Sequence, residues 1–267
     1  MSDLRRASTA VPLFRVVIPA RYDSTRLPGK PLALLAGEPM ILRVHRAAVR
    51  SGASEVIVAT DDQRICDACA AAGALVEMTA TEHASGTDRI AEIARRRSWE
   101  RGDIVVNVQG DEPMLPPALI GQTAALLAAT PAASIATLAA PIASEAEYLD
   151  PNIVKVVARA DGMALYFSRA PVPWDRDGAA AVPASRERHL GARRHLGIYA
   201  YRVSALLAIA AAPASVLERR ERLEQLRALD LGIGIVVADA VETPGPGVDT
   251  AEDRARVETL LRSGSGS

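Results

Sequence analysis

Aromatic residues, cysteine and lysine are scarce in this chain, and no segment stays apolar for long. Phe, Trp and Tyr make up 3% of the 267 residues, whereas 49% are hydrophobic and 24% are charged. A core of aliphatic side chains is therefore expected, and disorder of the whole chain is not. No apolar run approaches the roughly 18 residues of a membrane span, and the first residues lack the apolar centre of a secretory signal. The sequence predicts a soluble, cytoplasmic protein.

Excess charge of either sign is also lacking, because the formal net charge is only −1. A protein that holds nucleic acid through its overall charge would carry a clear excess of cations. We therefore expect no nucleic acid as a partner. Any site for an anion must be formed by a local group of basic side chains.

The only two cysteines, Cys66 and Cys69, have the spacing of a CxxC motif. A zinc site needs a second pair of ligands, and a redox site needs a strand-to-helix junction. Neither is visible here. Both cysteines fall in a helical pattern that follows Asp62, so we predict ordinary packing in the core.

Lysine is rarer still, since 31 basic residues include only Lys30 and Lys155 as lysines. Such a bias towards arginine is typical of genome base composition, so a lysine that remains marks a place where arginine does not serve. Lysine offers a compact point charge, whereas arginine offers a planar fork. This favours contact with a phosphate for Lys30 and, more weakly, for Lys155.

The most distinctive stretch, residues 16–31, reads VVIPARYDSTRLPGKP. A strand of β-forming residues stops at Pro19 and opens into a rigid loop. The loop carries three cations and two hydroxyls, namely Arg21, Arg26, Lys30, Ser24 and Thr25. It is not a Walker A loop, which needs an earlier glycine and a hydroxyl after the lysine. Its side chains can instead clamp a triphosphate; the alternative is a solvated basic turn.

Strand and helix patterns alternate along the first half of the chain. Buried strands are predicted at residues 16–18, 55–60, 75–78 and 103–109, and helical patterns lie between and after them. This alternation is typical of a mostly parallel sheet with helices on both faces. Ligands of such sheets gather at the carboxyl ends of the strands. The loops after the first, third and fourth of these strands are therefore expected to converge.

Beyond residue 130 the rhythm changes, and residues 168–195 are rich in Pro, Arg and Asp. We predict a single domain over residues 14–262, with a core of about 14–130 and 203–262. A smaller lobe is predicted over about 131–202. Residues 1–13 and the linker-like SGSGS tail at 263–267 are expected to be flexible. A charged helix is predicted over residues 218–230.

The converging loops carry candidates for metal and ligand binding. Asp111 follows a strand end, and Mg²⁺ prefers one or two carboxylates together with phosphate oxygens and water. Asp249 would supply a second carboxylate, although capping of the next helix explains it equally well. His83, Ser85 and Gly86 lie in a polar loop where glycine permits close approach to a ligand; a loop histidine is more often structural.

Two further pairs lie late in the sequence. His195 and Tyr199 are four residues apart on a predicted strand, so they share one face. Glu224 and Gln225 lie in the charged segment, where a surface of ion pairs is the simpler explanation.

Seven motifs occur in an order and spacing that closely resemble the 3-deoxy-manno-octulosonate cytidylyltransferase family, also called CMP-Kdo synthetases. The resemblance runs from about Phe14 to about Arg262. The motifs are VVIPARYDSTRLPGKPL, EHASGTDR, VNVQGDEP, ALYFSRAPVPW, RHLGIYAYR, LEQLR and GVDTAED.

The resemblance implies a nucleotide-diphosphosugar-transferase type α/β fold, a three-layer sandwich whose smaller lobe helps to form a homodimer. It implies the reaction CTP + Kdo → CMP-Kdo + pyrophosphate with Mg²⁺, for lipopolysaccharide biosynthesis in Gram-negative bacteria. Transferred motif by motif, the nucleotide would be bound by Arg21, Ser24, Thr25, Arg26, Lys30, His83, Ser85, Gly86 and Gln109. Mg²⁺ would be bound by Asp111 and Asp249. Kdo would be bound by Arg169, His195, Tyr199, Glu224 and Gln225.

These assignments fit an in-line attack of the anomeric hydroxyl on the α-phosphorus of CTP. Arg21 and Lys30 would stabilise the leaving pyrophosphate, with Asp111 and Asp249 holding the metal. Arg169 and His195 would pair with the sugar carboxylate. No general base is evident.

Three alternatives remain at this point. A cytidylyltransferase for a sialic acid would share the first loop and differ in its acceptor site. A binding module that has lost catalysis would not need Lys30, Asp111 and Asp249 together. A glycosyltransferase of related fold would be expected to carry a DxD motif, which QGDEP is not.

Overall fold

The structure is a computed structural model that describes residues 12–23, 26–176, 189 and 191–264. The strands are β1 (Phe14–Ala20), β2 (Leu34–Leu35), β3 (Glu38–Pro39), β4 (Glu55–Thr60), β5 (Val76–Met78), β6 (Ile104–Asn107), β7 (Ile135–Pro141), β8 (Lys155–Ala158), β9 (Ala164–Ser168), β10 (Arg193–Arg202) and β11 (Ile235–Asp239). The helices are α1 (Met40–Val49), α2 (Gln63–Ala71), α3 (Gly86–Arg96), α4 (Pro117–Ala129), α5 (Glu145–Leu149), α6 (Val203–Ala211), α7 (Val216–Glu221), α8 (Gln225–Asp230) and α9 (Ala251–Gly264).

Seven strands cross the central sheet in the order β11-β7-β10-β6-β1-β4-β5. Strand β1 is parallel to β4 and β6, β4 is parallel to β5, and β7 is parallel to β11. Only β10 runs antiparallel to both neighbours in this path, β6 and β7. The predicted mostly parallel sheet is confirmed. Since β1, β5 and β6 point the same way, the loops that follow them leave the sheet at one edge.

Helices cover both faces of the sheet, which confirms the three-layer arrangement. Ile41, Cys69 and Leu119, from α1, α2 and α4, are fully buried on one face. Ile90 and Leu206, from α3 and α6, are fully buried on the other. The core packing predicted for the CxxC pair is confirmed for Cys69, whereas Cys66 is only half-buried. Burial, together with Cys66, raises the pKa of the Cys69 thiol to about 11.

One local prediction is corrected at a helix start. The motif at residues 82–89 is not a loop throughout, because α3 already begins at Gly86. Ser85 and Asp88 form a reciprocal capping box there. At the start of α2, Asp62 caps the helix by accepting from the backbone N–H of Arg64.

The continuous helix predicted over residues 218–230 is also wrong. Arg222 lies between α7 and α8 and adopts a left-handed φ of 53°. A non-glycine residue in that region interrupts the helix. The interruption places Glu224 and Gln225 at the start of a separate short helix, where both are half-buried and line a cleft with residues of β6 and β10.

Two strands of the predicted smaller lobe, β7 and β10, run in the central sheet, while β8 and β9 form a hairpin attached to β10. The division into core and lobe, and the role of the lobe in a dimer, stay predictions. Residues 1–11 and 265–267, within the ends expected to be flexible, lie outside the described residues. Among the helices that the structure describes, none is both long enough and apolar enough to span a membrane.

Candidate functional site

The loops after β1, β5 and β6 meet at one edge of the sheet, as predicted. The loops after β1 and β6 enclose a cleft of about 390 Å³, here called the β1 cleft. Arg21, Arg26 and Lys30 line it from one side, and Gln109 and Asp111 line it from the other. The loop after β5 joins them, because the Arg21 guanidinium donates a hydrogen bond to the carbonyl of His83.

Glycines give the β1 cleft its shape at two positions. Gly29, in the left-handed region with φ of 67°, turns the chain immediately before Lys30, and a Cβ there would lie 3.1 Å from the Tyr22 ring. At Gly110 a Cβ would lie 2.9 Å from the carbonyl oxygen of Pro19, too close for any other residue. Glycine at this position therefore lets the loop of Asp111 approach the end of β1.

Lys30, Asp111 and Asp249, far apart in the sequence, meet at the rim of this cleft. The Lys30 ammonium lies 2.6 Å from Oδ2 of Asp111 and 3.1 Å from Oδ1 of Asp249. Arg26 lies 3.2 Å from the same Asp249 oxygen. Burial disfavours the charge of Lys30, but the two carboxylates outweigh it and raise the Lys30 pKa above its usual range.

The alternative role of Asp249, capping of α9, is performed by other residues. The hydroxyl of Thr250 accepts from the backbone N–H of Asp253, and the Asp253 carboxylate accepts from the backbone of Asp249 and Thr250. Thr250 and Asp253 therefore cap α9. The side chain of Asp249 is left to face Lys30.

The arrangement fits a magnesium site built from two protein carboxylates. Asp111 and Asp249 converge on a single cationic position, held here by the Lys30 ammonium. Within the described part of the chain, no group of three or more His, Cys, Asp or Glu side chains has the geometry of a complete metal cage. Mg²⁺ does not require one, because it commonly combines one or two carboxylates with substrate phosphates and water.

Glu112 is half-buried beside this pair and not a solvent-facing neighbour. Its carboxylate lies against Gly247. Burial, followed by the charges of Asp111 and Asp249, raises the pKa of Glu112 to about 7.

A second cleft, of about 230 Å³ and here called the β10 cleft, opens beside the first. Four of the five residues assigned to the sugar line it, namely His195, Tyr199, Glu224 and Gln225. The rings of His195 and Tyr199 lie 5.1 Å apart, so they share a face of β10 as predicted. Burial lowers the pKa of His195 to about 3, which leaves the imidazole neutral. Its Nε2 lies 2.9 Å from the hydroxyl of Thr137.

Glu224, in the β10 cleft, contacts the start of α3, and Gly86 of that helix lines the β1 cleft. Its carboxylate accepts hydrogen bonds from the hydroxyls of Ser85, at 3.0 Å, and Thr87, at 2.8 Å. Burial raises the pKa of Glu224 despite these bonds. Within the described residues, no exposed surface of ion pairs forms around Glu224: its carboxylate lies 3.9 Å from Arg227, which pairs more closely with Glu218, and both side chains of that pair are only 12% exposed.

Arg169, the fifth residue assigned to the sugar, is not among the residues that line the β10 cleft. Its Nε donates to the carbonyl of Glu221 at 2.6 Å, and its Nη1 donates to that of Pro151 at 2.9 Å. The backbone N–H of Arg169 also donates to the Glu221 carboxylate. The guanidinium is therefore held against main-chain carbonyls.

Gln109 is the residue common to both clefts. It also lines a larger cleft of about 980 Å³ that extends between Asp249 and His195. Gly86 lines the β1 cleft, Ser85 caps α3, and the His83 ring pairs with Glu92. Ser24 and Thr25 lie outside the described residues.

Sequence reasoning missed two polar residues of the β10 cleft, Asn107 and Thr87. Asn107 stands in a run of valines and isoleucine that reads as a buried strand, and its amide was the one signal that could have marked it. Thr87 lies in the motif EHASGTDR, in which only His83, Ser85 and Gly86 were assigned, all three to the nucleotide.

Lys155 does not bind at a phosphate site, so the weaker of the two lysine predictions is wrong. Its side chain is fully buried. The ammonium donates to three main-chain carbonyls, those of Asp150 at 2.9 Å, Ile153 at 2.6 Å and Arg169 at 2.8 Å. Three acceptors around one nitrogen suit an ammonium and not a planar guanidinium, which explains why a lysine stands here.

Replacing Lys155 by methionine is expected to lower the stability of the fold by about 3 kcal/mol, because buried carbonyls lose their donors. For a chain of this size the melting temperature should fall by about 10 °C, as measured by circular dichroism. Lys155→Arg should also be destabilised, because its donors point in fixed planar directions. A Lys155→Arg variant as stable as the wild type would refute the three-carbonyl explanation.

Comparison with known proteins agrees with these features. The family model described as cytidylyltransferase matches residues 15–235. A 3-deoxy-manno-octulosonate cytidylyltransferase of Thioalkalivibrio sulfidiphilus (strain HL-EbGR7) is 53% identical over 251 residues, 94% of this chain and 99% of that protein. The enzyme of the same name from Pseudomonas syringae pv. syringae (strain B728a) is 53% identical over 93% of this chain and 98% of its own.

A solved structure shows the same fold. It is that of CMP:2-keto-3-deoxy-manno-octonic acid synthetase complexed with CTP, with a TM-score of 0.85 and 41% identity over 95% of this chain and 100% of that one. Relatives of this identity and coverage leave one assignment. The chain belongs to the cytidylyltransferase family, as a 3-deoxy-manno-octulosonate cytidylyltransferase.

Proposed function

We propose that this chain transfers the CMP group of CTP to the anomeric hydroxyl of Kdo, giving CMP-Kdo and pyrophosphate. The observation that carries the proposal is the pair of adjoining clefts with Gln109 in common. One has the cations and carboxylates that a triphosphate and its metal need, and the other has hydrogen-bonding groups suited to a sugar. Glu224 of the β10 cleft accepts from Ser85 and Thr87, which flank Gly86 of the β1 cleft, so the proposed sites of the two substrates lie side by side.

The reaction breaks the bond between the α-phosphorus of CTP and its pyrophosphate and forms a bond from that phosphorus to the anomeric oxygen. In the proposed geometry Arg21, Arg26 and Lys30 face the phosphates from the loop after β1. They lower the energy of the charge that develops on the leaving pyrophosphate. The preformed turn at Gly29 fixes Lys30 in place before the substrate arrives.

We propose that Asp111 and Asp249 hold Mg²⁺. When bound, the metal would neutralise phosphate oxygens and help to orient the attacking hydroxyl. The Lys30 ammonium, which now bridges the two carboxylates, would then be released towards the phosphates. The same charge thus neutralises the acidic pair in the free enzyme and the leaving group during reaction.

Kdo is proposed to bind in the β10 cleft, with Glu224 and Gln225 facing its hydroxyls and Tyr199 at the base. His195 would act as a neutral hydrogen-bonding group, since burial keeps the imidazole uncharged. The sugar carboxylate would then need Arg169, whose guanidinium would exchange its bonds to the Pro151 and Glu221 carbonyls for bonds to the acid. Charge-assisted bonds to a carboxylate are stronger than bonds to neutral carbonyls.

The resemblance to the family further supports three proposals about the protein in the cell. The protein would act in the cytoplasm. Its product would serve lipopolysaccharide biosynthesis, and the chain would form a homodimer.

The acceptor sugar is tested by measuring pyrophosphate release with CTP, Mg²⁺ and either Kdo or N-acetylneuraminic acid, a sialic acid. We expect release with Kdo and no release above background with the sialic acid. Release with the sialic acid alone would assign the chain to the alternative acceptor. Release with neither would favour a binding module that has lost catalysis.

A further inference from the structure

Two buried polar groups in the β10 cleft have no partner in the part of the chain that the structure describes. They are Oδ1 of Asn107 and the hydroxyl of Tyr199. Asn107 is 3% exposed and Tyr199 is 8% exposed. The two residues are directly opposite each other in the antiparallel pairing of β6 and β10.

Such groups weaken a fold unless something pairs with them. Buried acceptors and hydroxyls are satisfied in most native proteins, and an unpaired one costs stability. The neighbours Val105 and Val106 in β6 are fully buried and apolar. A leucine at position 107 would therefore suit this strand better than an amide if folding alone determined the residue.

Two neighbouring polar groups of the cleft have partners. Glu224 accepts from Ser85 and Thr87, and His195 pairs with Thr137. The amide oxygen of Asn107 is a pure acceptor, so the group it meets must be a donor. The sugar's hydroxyls are donors, whereas its ionised carboxylate is not.

We propose that Asn107 is a substrate-binding residue whose amide oxygen accepts a hydrogen bond from a hydroxyl of the acceptor sugar at the base of the β10 cleft. This inference rests on the proposed function, because it takes Kdo as the occupant of that cleft. Asn107 contacts the sugar beside Tyr199. Its unpaired state in the free protein is resolved when the sugar binds.

The test uses Asn107→Leu, which keeps the size of the side chain and removes its polar atoms. We expect the KM for Kdo to rise by at least about tenfold, the equivalent of one lost hydrogen bond. The KM for CTP should stay within about twofold. The melting temperature should be unchanged or higher, because the substitution removes an unpaired buried group.

Thr123→Val is the matched control. Thr123 is also fully buried, but its hydroxyl is satisfied by the carbonyl of Leu119 at 2.7 Å, within α4. This variant should keep both KM values and gain no stability. An activity loss that comes with a gain in stability at Asn107 alone marks a binding residue, since a structural residue would lose both.

Other outcomes separate the two proposals. If the wild type releases no pyrophosphate with Kdo, the proposed function fails whatever Asn107 does. If the wild type is active and Asn107→Leu leaves the KM for Kdo unchanged, or shifts the KM for CTP equally, the inference about Asn107 is overturned. Should Asn107→Leu not fold, Asn107→Ser replaces it, and failure of both to fold would make Asn107 structural and refute the inference.

Discussion

Replacement of Asp111 by asparagine is expected to lower kcat for pyrophosphate release by about three orders of magnitude, the scale of losing one strong electrostatic contact in a transition state. The substitution keeps the size of the side chain and removes its charge. Half of the carboxylate pair that faces Lys30 is thereby lost. Because Asp111 is about one-third exposed, the fold should lose no more than about 1 kcal/mol.

Turnover is measured across a range of Mg²⁺ concentrations, together with thermal melting. The remaining activity of Asp111→Asn should need more Mg²⁺ than the wild type. Asp161→Asn is the control, because Asp161 lies in an exposed turn, where its carboxylate pairs with Arg159 and accepts from the backbone N–H of Met163. The control should be fully active. An Asp111→Asn variant with near-normal turnover would remove Asp111 from the metal site.

The sheet was predictable because several of its strands are continuous runs of mostly apolar residues. Residues 55–60, EVIVAT, form β4 with the predicted bounds, and parallel pairing follows from the alternation of strands and helices. The break at Arg222 was not predictable, since a left-handed arginine leaves no sequence signature. Periodicity through residues 218–230 therefore predicts one helix where there are two. It also favours an exposed surface for Glu224, whereas this residue lines the β10 cleft.

The site was predictable to the extent that topology or a motif places its members. The loops after β1 and β6 had to converge in a parallel sheet, which brings Lys30 to Asp111 across 81 positions. Asp249 needed the resemblance, because its own sequence fits a helix cap equally well. For Asn107 the sequence offers only an amide inside a buried strand, and the role of that amide becomes visible only when its oxygen is seen to be unpaired among the described residues.

The sequence also does not reveal which groups a charged side chain will face. The resemblance assigns Arg169 to the sugar carboxylate, yet its guanidinium is bonded to the Pro151 and Glu221 carbonyls. Lys155 is the other of the two lysines, and its role differs from that of Lys30. Composition shows only that both lysines are rare. Their roles become clear from the carboxylates around Lys30 and the carbonyls around Lys155.

Replacement of Lys30 by methionine is expected to change two properties in opposite directions. In the free enzyme the ammonium occupies the position between Asp111 and Asp249, so it competes with any metal for these carboxylates. Removing it should raise the affinity for Mg²⁺ in the absence of nucleotide by about tenfold, or 1.4 kcal/mol. The same variant should lose about two to three orders of magnitude in kcat, because the leaving pyrophosphate loses one of the cations proposed to stabilise it.

Isothermal titration with Mg²⁺ measures the first effect, and pyrophosphate release at saturating Mg²⁺ measures the second. Lys30→Arg is the matched variant, since it keeps the charge that competes with the metal but offers a planar fork in place of a compact ammonium. It should bind Mg²⁺ as the wild type does and still turn over more slowly. Unchanged Mg²⁺ affinity in Lys30→Met would contradict the carboxylate pair as the metal site. A fully active Lys30→Arg would instead show that charge alone is required, and the rarity of lysine at this position would need another explanation.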